Sequence, residues 1–176
     1  MLQHISLRNG HTVDIRHTLL PGDLGRIISF HGEVYSREHR LGKKFEGYVA
    51  ETVGSFARTW DEQKRDQQVW LASPPGSLAL AGCCALLNCS GEAQFRWFLV
   101  DPSYRGSGLG RYLLEDAAAF ARSAGYSRMF LLTSDFLPPA ASLYRSIGME
   151  LTEQHPYEGW EIPFHEQRYE LDLSDH

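Results

Sequence analysis

The chain has 176 residues, of which 43% are hydrophobic, and a formal net charge of -5 at pH 7. This length predicts a single domain over residues 1–176 with a core of its own. The negative charge and the scattered basic residues argue against a nucleic-acid partner. No apolar run approaches the ~20 residues that span a bilayer, and the first residues lack a signal-peptide core. We therefore expect a cytoplasmic protein without a membrane partner.

Apolar patterns predict a strand, two helices and three further strands in the first 100 residues. Alternation over residues 13–16 indicates a strand, after which Pro21-Gly22 precedes a helix with Asp23 as its N-cap. A second amphipathic helix begins near Phe45. The three strands are predicted over residues 69–72, 77–89, with a possible bulge at Gly82, and 92–100.

Three cysteines lie in or beside the apolar run over residues 77–89, namely Cys83, Cys84 and Cys89. They are an odd set without C-x-x-C spacing. We predict that they are buried strand residues, and we expect no metal site in this chain.

The second half of the chain alternates helices and strands. Helical periodicity runs over residues 109–124 and ends at Gly125, a favourable C-terminal cap. A short buried strand over residues 129–132 precedes a helix that has Pro138-Pro139 in its first turn and stops at Gly148. Closing strands are predicted over residues 149–152 and 167–173.

A glycine-rich turn, Gly106-Ser107-Gly108-Leu109-Gly110, connects the strand over residues 92–100 to the next helix. Backbone N–H groups in such a turn converge on an anion, and the helix adds the positive end of its dipole. A P-loop would need a lysine and a hydroxyl residue where Arg111 and Tyr112 stand. A dinucleotide-binding fingerprint would need its third glycine one position later, which weakens that interpretation without excluding it.

The pattern Arg105-x-x-Gly108-x-Gly110, behind Val100-Asp101-Pro102, resembles the pyrophosphate-binding motif of the GNAT (Gcn5-related N-acetyltransferase) superfamily. The resemblance covers about residues 13–173, because the predicted order of elements is that of the GNAT fold. It implies an α/β (α+β) protein with a mixed, mostly antiparallel sheet of about seven strands, flanked by four helices and splayed at the acetyl-CoA strand. The implied cofactor-binding residues are Phe98, Leu99, Val100, Arg105, Gly106, Ser107, Gly108, Leu109, Gly110, Arg111, Ser134 and Tyr144.

Residues 140–149, Ala-Ala-Ser-Leu-Tyr-Arg-Ser-Ile-Gly-Met, resemble a second GNAT motif, whose tyrosine protonates the departing thiolate. The resemblance makes Tyr144 the candidate acid, and a plain core tyrosine is the alternative. Leu137 stands where many members of the family carry an asparagine that contacts coenzyme A. Ser134 or Asp135 could supply that hydrogen bond instead.

The resemblance also implies how the other steps are catalysed. A backbone N–H on the strand over residues 98–100, with Leu99 at its centre, is expected to stabilise the negative charge on the thioester carbonyl. The candidates for the base that deprotonates the amine, directly or through water, are His31, Glu33, Glu38 and Asp135. His31 also fits a core histidine, and the two glutamates fit solvated helix residues.

A narrower resemblance concerns residues 31–38 and Phe45-Glu46, which look like a helical region of bacterial GNAT domains fused behind a MarR-type DNA-binding domain. The chain is then expected to be a stand-alone relative of those fusions. In GNAT proteins the first two helices usually line the acceptor site, and the loop over residues 155–164 is either a second wall or an ordinary surface loop. The expected substrate-binding residues are His31, Tyr35, Glu38, Trp97 and Trp160.

The function implied by the resemblance is N-acetyl transfer from acetyl-CoA to a primary amine by direct attack, without a metal. The acceptor is a small molecule or a protein amine, and a homodimer is expected by resemblance. One alternative is a sensor or scaffold that binds acyl-CoA without catalysis. The other is an NAD(P)-dependent oxidoreductase with Asp135 on a ribose, against which the three consecutive strands before the glycine turn argue.

Overall fold

One mixed sheet with helices on both faces forms the described part of the protein, residues 2–61 and 64–174 of a computed structural model. The strands are β1 (Gln3–Ser6), β2 (Thr12–Arg16), β3 (Gln68–Ser73), β4 (Gly82–Cys89), β5 (Glu92–Val100), β6 (Arg128–Ser134), β7 (Glu150–Tyr157) and β8 (Phe164–Asp172). The helices are α1 (Asp23–His39), α2 (Lys43–Thr59), α3 (Leu109–Ser123) and α4 (Pro138–Ser146). The strand order is β1-β2-β3-β4-β5-β6-β8-β7, and every neighbouring pair is antiparallel except β5 and β6.

The helices create an apolar cluster on each face of the sheet. On one face α3 packs against strand residues such as Trp70, and its buried stripe is Leu109, Leu113, Leu114, Ala117 and Ala121. On the other face α1 and α2 cover a second cluster that includes Trp97 and Leu99 of β5. The end of β5 is thus enclosed from both sides.

No helix of residues 2–61 and 64–174 is long and apolar enough to cross a bilayer.

The four helices and seven of the strands confirm the predicted order, and β1 is an additional strand. Its residues are mostly exposed at the edge of the sheet, so they carry no apolar alternation. Strand β7 reaches further than predicted, to Tyr157, as an exposed edge strand in which Pro156 is tolerated. The loop between the last two strands therefore contains only residues 158–163.

Three local predictions were wrong. Strand β4 begins at Gly82 and not at residue 77, because residue 77 still belongs to a turn in which its N–H donates to the Pro74 carbonyl. Cys89 is exposed at the end of β4, whereas the other two cysteines are buried. Asp23 is the first residue of α1 and does not cap it; its buried carboxylate accepts hydrogen bonds from Arg16 at 2.5 and 3.0 Å.

Strand β5 loses one of its neighbours halfway along. It pairs with β6 only over residues 93–95, whereas its pairing with β4 continues to Val100. This confirms the predicted splay. Two residues of β5 oppose Cys84 of β4, and Trp97 has a left-handed φ of 48°. This bulge, which lies on β5 and not at Gly82, turns both Arg96 and Trp97 toward α2, where both side chains are hydrogen-bonded.

Candidate active site

Two cavities meet where β5 and β6 separate. The large cavity, of about 470 Å³, lies between the end of β5, the glycine turn, α1 and α4. The small cavity, of about 110 Å³, lies between β5, β6, α1, α2 and the start of β8. Both are lined by Tyr35, Phe98, Leu137 and Tyr144. Ligands in the two cavities would therefore contact the same four residues.

The glycine turn forms one end of the large cavity. Gly106 and Gly108 have φ angles of 74° and 95°, a left-handed backbone that glycine adopts without strain. Gly108 is the N-cap of α3 and has no side chain to cap it, which leaves the N–H groups of Gly110 and Arg111 in the first helical turn for an anion. Two predicted contacts, Ser107 and Leu109, are buried and do not line the cavity; the N–H of Ser107 donates to the Tyr104 carbonyl and that of Leu109 to the Ser107 hydroxyl, both at 3.4 Å.

Three arginines line the large cavity around the glycine turn, namely Arg8, Arg105 and Arg111. Arg8 was not predicted. Its N–H donates to the Ser107 carbonyl at 3.0 Å, and its Nε lies 3.6 Å from where a Cβ atom on Gly108 would be. No sequence pattern connects residue 8 with this turn, because the contact depends on the strand β1 that carries no apolar alternation. The volume, the N–H groups and the three guanidinium groups fit the diphosphate of coenzyme A.

Arg105 is oriented by a carboxylate on α1. Its Nη1 and Nη2 donate to the two carboxylate oxygens of Glu38 at 3.0 and 2.9 Å, and its Nε donates to the Val100 carbonyl at 3.2 Å. Glu38 was predicted as a base or a substrate contact. It lies in the large cavity and forms an ion pair with Arg105, so its position is suited to holding Arg105 in place beside the glycine turn.

Tyr144 lies in the wall that both cavities share. Only 5% of its surface is exposed, and the Phe98 and Tyr169 rings pack at 6.2 and 5.7 Å from its own. Burial raises the pKa of its hydroxyl, and the nearby Tyr35 adds to the increase, whereas a hydrogen bond with Thr133 opposes it. The hydroxyl is therefore protonated near neutral pH and able to donate.

The backbone at the end of β5 offers hydrogen-bonding groups to the large cavity. The N–H of Asp101 donates to the Ala81 carbonyl at 2.9 Å. Because amides alternate along an antiparallel ladder, the N–H of Leu99 faces β4, whereas that of Val100 faces the gap beside β6. The bond from Arg105 to the Val100 carbonyl agrees with this direction. Val100 is thus better directed than Leu99 to stabilise a thioester carbonyl.

Nine of the nineteen residues that line the small cavity are Phe, Tyr or Trp: Tyr35, Phe45, Tyr48, Phe95, Trp97, Phe98, Tyr144, Trp160 and Phe164. His31 lies among them and is 4% exposed. Its Nδ1–H donates to the Ile27 carbonyl at 2.8 Å, which leaves Nε2 as an acceptor. Burial lowers the pKa of His31 to about 4, so the ring is neutral near pH 7. It is also a weak base.

The other base and cofactor candidates lie apart from one another. Ser134 lines the small cavity and not the large one. Asp135 and Glu33 line neither cavity; the Asp135 carboxylate accepts hydrogen bonds from the N–H and the Nδ1 of His165. Of the four predicted bases, His31 alone lines the small cavity. Within residues 2–61 and 64–174, no three His, Cys, Asp or Glu side chains cluster as a metal site requires.

Two charged residues of the small cavity, Arg96 and Glu166, were missed. Arg96 donates from Nη2 to the Tyr48 hydroxyl at 2.7 Å. Glu166 is the β8 partner of Ser134, and the Nε2 of His155 lies 3.3 Å from its carboxylate. Neither residue belongs to a motif. The predicted β8 began after Glu166, and the bulge that puts Trp97 on the same face as Arg96 has no sequence signal.

Residues 158–163 close the small cavity from the side. Trp160 packs on Phe45 and Phe164, with ring centres 4.9 and 4.7 Å apart. The carboxylate of the next residue, Glu161, accepts a hydrogen bond from the N–H of Lys44 at 2.7 Å, in the first turn of α2. The loop is therefore attached to α2 and forms the second wall of the small cavity.

Sequence comparison identifies related proteins. The model of the Acetyltransferase (GNAT) family matches residues 35–149. The chain is 37% identical over 84 residues to an uncharacterized N-acetyltransferase of Schizosaccharomyces pombe, over 47% of this chain and 50% of that protein. It is 38% identical over 61 residues to human N-acetyltransferase 8B, over 35% of this chain and 27% of that protein. The matched regions span at most half of either relative.

Solved structures share the fold. An acetyltransferase from Streptococcus agalactiae gives a TM-score of 0.72 at 21% identity, covering 91% of this chain and 98% of that one. The yncA protein of Salmonella typhimurium, solved with its cofactor acetyl-CoA, gives 0.70 at 19% identity, covering 93% and 95%. Identities this low establish the fold alone. Because the family match includes the splayed strand, the glycine turn and Tyr144, this chain belongs to the GNAT acetyltransferase family.

Proposed function

We propose that this protein transfers the acetyl group of acetyl-CoA to a primary amine that binds in the small cavity. The observation that carries the proposal is that two cavities of different character meet at Tyr144 and the unpaired end of β5. The large cavity offers N–H and guanidinium groups to a diphosphate. The small cavity is a separate chamber for an acceptor, either a small molecule or an amine on a protein.

Acetyl-CoA, when bound, supplies an activated acetyl thioester. Arg8, Arg105 and Arg111, with the N–H groups of the glycine turn, would hold its diphosphate. The N–H of Val100 would donate to the thioester carbonyl oxygen, which becomes negative during attack. A preorganised donor of this kind contributes about 3 kcal/mol to transition-state stabilisation in other enzymes.

In the transfer, the amine nitrogen attacks the carbonyl carbon, so a C–N bond forms and the C–S bond breaks. Tyr144 donates its proton to the departing sulfur. The nitrogen loses a proton as the amide forms, and solvent passes that proton to the Tyr144 oxygen. An acceptor that binds as an ammonium first loses its extra proton to solvent, because His31, with a pKa of about 4, is too weak a base to take it at neutral pH. The Nε2 of His31 accepts a hydrogen bond from the amine.

The test is to measure thiol release from acetyl-CoA in the presence of a panel of primary amines. We expect release that depends on the amine and an equal amount of acetylated amine by mass spectrometry. Thermal unfolding with coenzyme A, NAD and NADP is the parallel binding measurement, and only coenzyme A should stabilise the protein. Stabilisation by coenzyme A without amine-dependent release would indicate an acyl-CoA sensor. Stabilisation by NAD or NADP alone would favour the oxidoreductase.

The loop that closes the small cavity gives a more specific prediction. Glu161→Ala removes the carboxylate that binds the first turn of α2, a contact worth ~1 kcal/mol in similar helix termini. We expect the KM for the acceptor to rise about fivefold, which corresponds to that energy, with an unchanged Kd for acetyl-CoA. Glu158→Ala, an exposed change in the same loop, is the control. An unchanged acceptor KM in Glu161→Ala would separate this loop from acceptor binding.

A further inference from the structure

Arg96 is a charged residue in a cavity that is lined by nine aromatic residues. A regular strand would place its successor on the opposite face of the sheet. The bulge in β5 instead keeps Arg96 and Trp97 together on the face covered by α2, and the guanidinium carbon lies 5.8 Å from the Trp97 ring centre. The regular part of β5 thus places a cation in the small cavity, where Gln94 also lies, and the bulge brings the Trp97 ring beside it.

The guanidinium of Arg96 lacks a carboxylate partner. Nη2 donates to the Tyr48 hydroxyl at 2.7 Å, and the group lies 5.6 Å from the centre of the Tyr48 ring. Within residues 2–61 and 64–174, Arg96 forms no ion pair, whereas Arg16, Arg105 and Arg168 each contact a carboxylate. A guanidinium has five N–H donors in a planar fork that matches a carboxylate. Partial burial without an anion is unfavourable, so this arrangement favours an anionic ligand.

The same cavity contains a carboxylate, that of Glu166 on β8. Glu166 and Arg96 do not pair with each other, so each is available to an opposite charge on a ligand. The Nε2 of His155 lies 3.3 Å from one oxygen of the Glu166 carboxylate. The cavity therefore offers one positive and one negative group to a single ligand, between apolar rings.

The volume of the cavity limits the size of that ligand. At about 110 Å³ it is smaller than the engineered cavity of ~150 Å³ that takes up a benzene molecule in another protein. A small molecule fills such a space, whereas a folded protein could insert only the end of one side chain or its terminal residue. A free lysine side chain or a peptide N-terminus brings an ammonium group but no adjacent carboxylate.

We propose that the acceptor is a small zwitterionic amine, a free amino acid, whose carboxylate binds Arg96 and whose amino group lies toward Glu166 and Tyr144. This inference rests on the proposed acetyl transfer and narrows its acceptor. The aromatic walls would pack against a small apolar side chain, such as that of alanine or valine. The amino nitrogen forms the bond to the acetyl carbon as the C–S bond breaks, with the proton transfers described above, and the product is an N-acetyl amino acid.

The test compares acceptors that differ only in the carboxylate. Valine, valinamide and isobutylamine form one such set, and alanine, alaninamide and ethylamine form another. We expect kcat/KM to be at least tenfold higher for one of the amino acids than for its amide or its decarboxylated amine. The less basic amino group of the amides favours them chemically, so a preference for the acid would reflect binding.

Variants of Arg96 add a second measurement. Arg96→Gln should lower kcat/KM for the amino acid about 30-fold while changing that for the matched amide less than threefold, and Arg96→Lys should restore part of the loss. The Kd for acetyl-CoA should not change. Arg122→Gln, an exposed change on α3, is the matched control and should leave all values unaltered.

The outcomes distinguish the two levels of the proposal. Equal use of acids, amides and amines, or a preference for peptides with free N-termini, would overturn the amino-acid acceptor and leave acetyl transfer intact. Binding of acetyl-CoA without acetylation of any amine would remove the proposed function itself. If Arg96→Gln does not fold, the comparison of acceptors with the unmodified protein still decides the question.

Discussion

Replacement of Tyr144 by phenylalanine is expected to lower kcat about 100-fold. The ring would keep its contacts with Phe98 and Tyr169, and the change would be the loss of the hydroxyl with its hydrogen bond to Thr133. General acids contribute 10²–10⁴-fold, and we expect the lower end because a thiolate is already a good leaving group. The Kd for acetyl-CoA should change less than threefold. Single-turnover rates and calorimetric titration measure the two quantities separately.

A matched control for this variant is Tyr126→Phe. Tyr126 is also buried, at 8% exposure, and burial raises its pKa to about 12. Its hydroxyl donates to the Asp66 carbonyl at 2.7 Å and lines neither cavity. This variant should lose stability without losing kcat relative to folded protein. If Tyr144→Phe behaves in the same way, Tyr144 is a core tyrosine and not the acid.

The second large effect is expected from Gly108→Ala, which should raise the Kd for acetyl-CoA about tenfold. Gly108 has a φ of 95°, and an alanine in the left-handed region costs ~1–2 kcal/mol. The turn can relieve this strain by moving the N–H groups at the start of α3, and a tenfold change in Kd corresponds to ~1.4 kcal/mol. Arg8 lies 3.6 Å from the new Cβ atom, which adds no severe clash. Isothermal calorimetry with acetyl-CoA measures the change.

Gly91→Ala separates backbone strain from ligand binding. Gly91 has a φ of 90° and no atom within 4 Å of its Cβ position, in the turn between β4 and β5. Both variants should unfold at lower temperature, but the Kd for acetyl-CoA should change in Gly108→Ala alone. A normal Kd in Gly108→Ala would show that the glycine turn tolerates a side chain and does not hold the diphosphate.

The fold and the large cavity were predictable because their signals are local. The glycine turn, the helix that follows and the motif around Tyr144 are continuous in the sequence. The predicted order of elements resembles that of the GNAT fold, and this resemblance predicted the sheet and its splay. Strand β1 was missed, and β7 was predicted too short, because edge strands with both faces exposed need no apolar alternation.

The small cavity was harder to predict, since it forms from segments far apart in the chain. Trp97 shares a face with Arg96 only because of a bulge, and an extra residue in a strand reverses the alternation that sequence patterns rely on. Glu38 was placed on the correct helix, but its partner, Arg105, is 67 residues away. The cytoplasmic location, the homodimer and the relation to MarR fusions stay predictions from the sequence.

The shared wall of the two cavities has a kinetic consequence for the proposed reaction. Donor and acceptor occupy different chambers, so both can be present before any bond changes, and neither has to leave to admit the other. The fold thus favours a ternary complex over a double-displacement route. The two thiols next to the site, Cys83 and Cys84, are buried, and burial raises the pKa of each, which keeps them out of an acyl-enzyme stage. Double-reciprocal plots for such an enzyme intersect and are not parallel.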